Sequence, residues 1–136
     1  MPEGRRATMR GNKKKDTRPE LAVRRLLHAM GFRFRLHRRD LPGTPDVVFP
    51  TRRKAIQVHG CFWHQHEGCR SATLPATRQE YWLPKLARNR ERDRQAEAAL
   101  TALGWQVMTV WECEVTDVGR LGPRLRHFLG FPKARG

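Results

Sequence analysis

The sequence predicts an α/β domain, a small mixed β-sheet flanked by helices. Three observations carry that expectation. VRRLLHAM places Val23, Leu26, Leu27 and Met30 at helical spacing, on one apolar face. DVVF and AIQVH are short apolar runs joined by the basic turn PTRRK, the pattern of a β-hairpin. WQVMTVW, residues 105–111, is β-branched and aromatic and lies between two further helical patterns.

Each element has its own signals. Asp16 or Thr17 can cap the first helix, and Pro19 and Glu20 suit its first turn. Gly31 fits the position just past its end. FRFRLH, residues 32–37, alternates apolar and polar residues and is predicted as a strand with one basic face. LPGTP, residues 41–45, is a loop by its Pro and Gly content. Strands follow at 46–49 and 55–59, and residues 60–79 are irregular. A long helix runs from about Arg78 to Leu103, with Pro84 in its first turns, where it is tolerated. Within it RNRERDRQ, residues 88–95, has no apolar residue and faces water or a polar partner. Residues 105–111 are read as a central strand and 118–129 as a last helix, giving the order α-β-β-β-α-β-α.

The 136 residues fit one domain, 17–136, behind a flexible basic arm, 1–16. Lys and Arg number 28 against 13 Asp and Glu, a net charge of +15. Charge of that size on a small domain implies a polyanionic partner, nucleic acid foremost, with affinity that falls with salt. No apolar run reaches membrane-spanning length and no secretory segment opens the chain, so no membrane role is expected. The expected setting is a bacterial cytoplasm, acting at the nucleoid, where the three cysteines stay reduced and bind metal or are simply buried.

HGCFWHQHEGC, residues 59–69, concentrates the chemistry. Cys61 and Cys69 flank two histidines, and Cys113 follows the strand at 105–111. Zinc takes four Cys or His ligands in a tetrahedron, so these cysteines with His66, or with its rival His64, make a candidate structural site. Asp46 opens an apolar strand beside a loop, where a carboxylate can bind Mg²⁺ or merely cap a turn. Hairpin pairing brings Val58 and His59 towards it, placing a carboxylate, a backbone carbonyl and an imidazole together. On residue type alone the Phe62-Trp63 pair reads as core.

The segments TRPELAVRRLLHAMGFRFRLHRRDLPGTPDVVFP, VHGCFWHQHEGC, PATRQEYWLPKLARNRERD and GWQVMTVWEC, in that order, resemble the very-short-patch-repair (Vsr) DNA mismatch endonucleases. The resemblance spans nearly everything from Thr8 to Cys113. It implies a restriction-endonuclease-like core and a monomeric, Mg²⁺-dependent enzyme. Such an enzyme nicks one strand of duplex DNA 5′ of the thymine in a T·G mismatch left by 5-methylcytosine deamination. Mismatch-repair proteins are further candidate partners. Asp46 would bind Mg²⁺ with the Val58 carbonyl, and Glu20 would hold metal-bound water. His64 would activate the attacking water, with His59 assisting, oriented by Asp93. Cys61, His66, Cys69 and Cys113 would hold structural zinc. Phe62, Trp63 and Trp82 would wedge into the base stack, and Lys85 and Asn89 would contact DNA from the helix after Trp82. Where related nuclease cores carry (D/E)xK, this strand reads Gln57-Val58-His59, a replacement the family shares. Some members have Thr where Val58 stands; a carbonyl ligand survives that change and a hydroxyl role does not. Two alternatives stay open. A zinc-stabilised DNA-binding module without catalysis leaves Asp46, His59, His64 and Glu20 without work. A related restriction-type nuclease would cut matched DNA.

Overall fold

The computed structural model describes residues 16–132. Apart from Asp16, the basic arm predicted over 1–16 lies outside the described residues. Helix α1, Arg18–Ala29, starts at Thr17, whose hydroxyl accepts the Glu20 N–H at 3.4 Å. Glu20 reaches back to accept the Asp16 N–H at 2.9 Å, so Thr17 and Glu20 satisfy orphan donors from both sides. Gly31, at φ +93°, ends the helix. The Gly31 and Phe32 N–H groups return to the carbonyls of His28 and Leu27, a Schellman closure that needs a residue free to be left-handed.

The sheet has the order β1-β2-β3-β4, with β1 at Arg35–Leu36, β2 at Val47–Phe49, β3 at Lys54–His59 and β4 at Gln106–Trp111. The predicted hairpin is β2–β3, antiparallel, with Val47 opposite Ile56. β4 runs parallel to β3, with Val58 opposite Val110 and His59 opposite Trp111. Two expectations are corrected. β4 is an edge strand rather than a central one; β2 and β3 are the strands with neighbours on both sides. The β-branched content of WQVMTVW reflects one buried face, that of Met108 and Val110. The strand predicted over 32–37 shrinks to two residues. Phe32 is buried under α1 and Phe34 stacks on His28 at 4.6 Å, so the alternation records two rings turned inward, not a ladder. His37, at φ +46°, then turns the chain away.

Strand alternation sends side chains to two cores. Val47, Phe49, Ile56, Val58, Met108 and Val110 pack with Val23 and Leu27 of α1 and with Leu121, Leu125 and Leu129 of α3, Val118–Leu129. Val48 and Ala55, on the opposite face, pack with Leu41, Trp105 and Leu100 of α2, Gln79–Ala102. The result is three layers, helix–sheet–helix. Each fully buried Leu or Val contributes about 1.5–3 kcal/mol, so the first cluster supplies most of the apolar stabilisation. The basic hairpin turn is also structural: Arg52 donates to the Leu129 and Phe131 carbonyls at 2.6 and 2.9 Å, and Lys54 donates to that of Phe128. These cations satisfy the carbonyls at and beyond the end of α3. Among the described residues no helix is long and apolar enough to cross a membrane.

Candidate active site

Asp46 stands just before β2, and its Oδ2 accepts the Val58 N–H of β3 at 2.7 Å. The hairpin therefore does bring Asp46 to Val58. Burial pushes the Asp46 carboxyl up to about 7; the Val58 hydrogen bond opposes this, the charge of Glu20 adds to it and Arg24 draws it down. A half-buried carboxylate whose charged form is disfavoured in this way suits a divalent cation, which would restore that form.

Glu20 is almost fully buried. Its Oε1 takes Arg24 at 3.3 Å and faces His37 Nε2 at 3.2 Å, and Oε2 accepts the Thr17 hydroxyl at 3.3 Å. The structure thus places Glu20 inside a polar cluster at the start of α1, within electrostatic reach of Asp46.

His59 ends β3 on the face that looks towards α2. Its ring stacks on His64 at 3.8 Å, nearly parallel at 6°. Asp93, on α2, accepts from His64 Nδ1 at 2.5 Å and lies 4.0 Å from His59 Nε2. Asp93 thus faces both rings, with the shorter contact to His64. An ionised carboxylate can only accept, so in this contact the His64 Nδ1 is the donor, and Nε2 is the ring nitrogen that Asp93 does not engage. His59 is held neutral: burial, then the neighbouring His64, push its pKa down to about 4 against the pull of Asp93.

His66 faces elsewhere. Gln65 takes a left-handed conformation, φ +48°, and its side chain donates to the Phe62 carbonyl at 2.7 Å and that of Ala72 at 3.3 Å. That turn separates the two histidines. His66 Nδ1 lies 3.7 Å from Cys61 Sγ and 3.5 Å from Cys113 Sγ, and the donors of Cys61, His66, Cys69 and Cys113 all fall within 4.8 Å of one another. Bonds of about 2.3 Å to sulfur and 2.0–2.1 Å to nitrogen, at a tetrahedral angle, put S and N about 3.6 Å apart. The donor set therefore fits one tetrahedral ion. Burial also pushes the Cys61 thiol up, so its thiolate form needs such a cation beside it.

Phe62 and Trp63 join neither core cluster. Both are half-buried, and their rings lie 5.2 Å apart and 5.3 and 5.8 Å from Trp82. Tyr81, which the sequence reading passed over, extends this group into solvent at 47% exposure, 5.0 Å from Trp82. Its only sequence signal was adjacency to Trp82. Lys85 Nζ sits 5.9 Å from the Trp63 ring centre and 5.7 Å from that of Tyr81. Asn89 is engaged within the protein: its amide donates to the Trp63 carbonyl at 3.2 Å and fastens the loop to α2. Trp111, also overlooked, packs against both His59 and His66.

The three layers and the carboxylate at the sheet's end fit a restriction-endonuclease-like fold, and thus a nuclease class. The match to known proteins is narrower. The profile of the DNA mismatch endonuclease Vsr family matches residues 1–70. The type II nicking enzyme V.XorIIP of Xanthomonas oryzae pv. oryzae is 59% identical over 128 residues, covering 94% of this chain and 93% of that protein. The DNA mismatch endonuclease Vsr of Escherichia coli K12 is 45% identical over 109 residues, 80% of this chain and 69% of that protein. The type II nicking enzyme V.NaeI of Lentzea aerocolonigenes is 42% identical over 116 residues, 82% and 69% respectively. The chain belongs to the Vsr family and is a DNA endonuclease.

Proposed function

We propose that this enzyme nicks one strand of duplex DNA 5′ of the thymine in a T·G mismatch, as the first step of very short patch repair. The observation that carries the reading is the loop 60–69, which sets an oriented histidine directly after a part-exposed aromatic pair. Asp46 and the Val58 carbonyl would hold Mg²⁺. A strand residue's N–H and C=O face the same neighbour, so that carbonyl lies on the Asp46 side. Bound there, Mg²⁺ supplies positive charge against the phosphate oxygens. His64 takes the proton of the attacking water at Nε2, while Asp93 fixes its ring and stabilises the imidazolium that forms. His59 limits the motion of the His64 ring by stacking. Glu20 would hold water at the metal side. Cys61, His66, Cys69 and Cys113, whose donor atoms lie together, would hold structural zinc and so pin the loop to the end of β4.

Phe62, Trp63 and Trp82 wedge into the base stack, and Lys85 contacts the backbone or base edges beside them. Asn89 contributes by holding the Trp63 carbonyl, with its oxygen directed to Arg92. Unstacking a base step costs about a few kcal/mol and least at a mismatch, so a wedge selects mismatched sites. The relative called a DNA mismatch endonuclease supports this reading. The relatives called type II nicking enzymes favour a second, nicking of a matched recognition sequence. Duplexes identical except for T·G or T·A at one position separate the two. Nicking of the T·G duplex alone is expected, on the thymine strand; equal nicking of both would establish the second reading.

A further inference from the structure

Four rings form a column between the Cys/His cluster and the histidine pair. His66 lies flat on Trp111, 4.2 Å between centres and 9° between planes. The Trp111 ring meets His59 edge-on at 5.3 Å and 75°. His59 lies flat on His64, and His64 is tied to Asp93. Trp111 ends β4 opposite His59 in the parallel ladder, and its own N–H is held by Glu114 at 2.9 Å, one residue beyond Cys113. It is therefore fixed from the backbone on one side and by the cluster on the other.

An imidazole has a soft terminal torsion and turns freely unless it is walled in. Three groups surround the His59 ring: His64 lies on its face, Trp111 stands at 75° to it, and the Asp93 carboxylate lies 4.0 Å from Nε2. We propose that Trp111 is a positioning residue, the wall through which the Cys/His cluster fixes the orientation of His59 and, by stacking, of His64. This rests on the assignment of His64 as the base. It adds a reason for the cluster's place in the fold: the cluster sets ring orientation at the chemistry, besides closing the loop.

The wall needs a flat ring, so Trp111→Phe and Trp111→Leu are the informative variants. Each is compared with wild type on T·G duplex for single-turnover rate and DNA affinity, for bound zinc, and for the shifts of the histidine ring protons by NMR. Stacking gives the His59 and His64 ring protons upfield shifts, which report orientation without catalysis. The expected result for Trp111→Leu is a rate lower by about 10- to 100-fold, with DNA affinity and zinc content kept and the upfield shifts reduced. Trp111→Phe should recover most of the rate and the shifts. Equal rates for the Leu and Phe variants would overturn the proposal, because apolar filling would then suffice. Loss of zinc along with rate would also overturn it, placing Trp111 in the cluster alone. If the shifts change and the rate does not, the wall exists but the assignment of His64 as base is what fails.

Discussion

His64 and His66 stand two residues apart and face different partners because Gln65 turns left-handed between them. His64 meets Asp93 and His59; His66 meets Cys61 and Cys113. The split gives a paired expectation. His64→Ala should keep its zinc and lose about 10²- to 10⁴-fold in nicking rate, the range for one acid–base group. His66→Ala should release zinc. Metal analysis of both purified variants checks this, and zinc loss from His64→Ala would reverse the two roles. Spacing alone left these histidines as rivals, since periodicity says nothing about a turn built by one residue's backbone. Asp46 gives a second expectation at this scale. Its folded-state carboxyl lies at about 7, above the ordinary value near 3.9. Between those values the folded chain holds a proton that the unfolded chain has released. The group's stabilising contribution is then full below about pH 4 and is lost as pH rises towards 7. Asp46→Asn removes that dependence, so in Mg²⁺-free buffer the variant should gain on wild type in thermal stability from pH 5 to 8. Added Mg²⁺ should raise the wild-type Tm at pH 8 and leave that of the variant unchanged. Parallel pH curves would remove the argument from burial.

At the scale of elements, local signals and long-range pairing parted company. The caps of α1 were legible: Thr17 begins it through its hydroxyl and Gly31 ends it through its free backbone. α1, α2, α3 and the hairpin lie within a residue or two of the predicted bounds. The sheet order was not legible, because nothing local to residues 105–111 says whether a strand has one neighbour or two. FRFRLH failed for a related reason: the same alternation suits a strand and a loop that turns two phenylalanines inward. The packing of α2 on the loop before β2 was also invisible. Gly43, at φ +73°, leaves no room for a side chain, as an added Cβ would sit 2.5 Å from that of Ala96. Gly43→Ala should therefore destabilise by about 1–3 kcal/mol, from left-handed strain and overpacking together. The urea midpoint measures it; an unchanged midpoint would mean that α2 yields easily, and that the close approach contributes little to holding Asp93.

Over the whole molecule, three layers converge on one end of the sheet. β2 and β3 bring Asp46 to Val58, and β3 ends in His59. α2 carries Trp82, Lys85, Asn89 and Asp93 along one helix, so the aromatic group and the histidine pair share a rigid support. β4 ends in Trp111 and delivers Cys113. The net charge of +15 draws DNA to the whole, but part of it, at Arg52 and Lys54, serves the fold. On the proposed function binding and cutting would rest on different groups, and that separation is the central claim. The direct measurement is Asp46→Ala on T·G duplex, followed by gel shift for binding and by strand analysis for nicking in Mg²⁺. The account predicts a variant that binds with near wild-type affinity and leaves the strand intact. Nicking at the wild-type rate would contradict it.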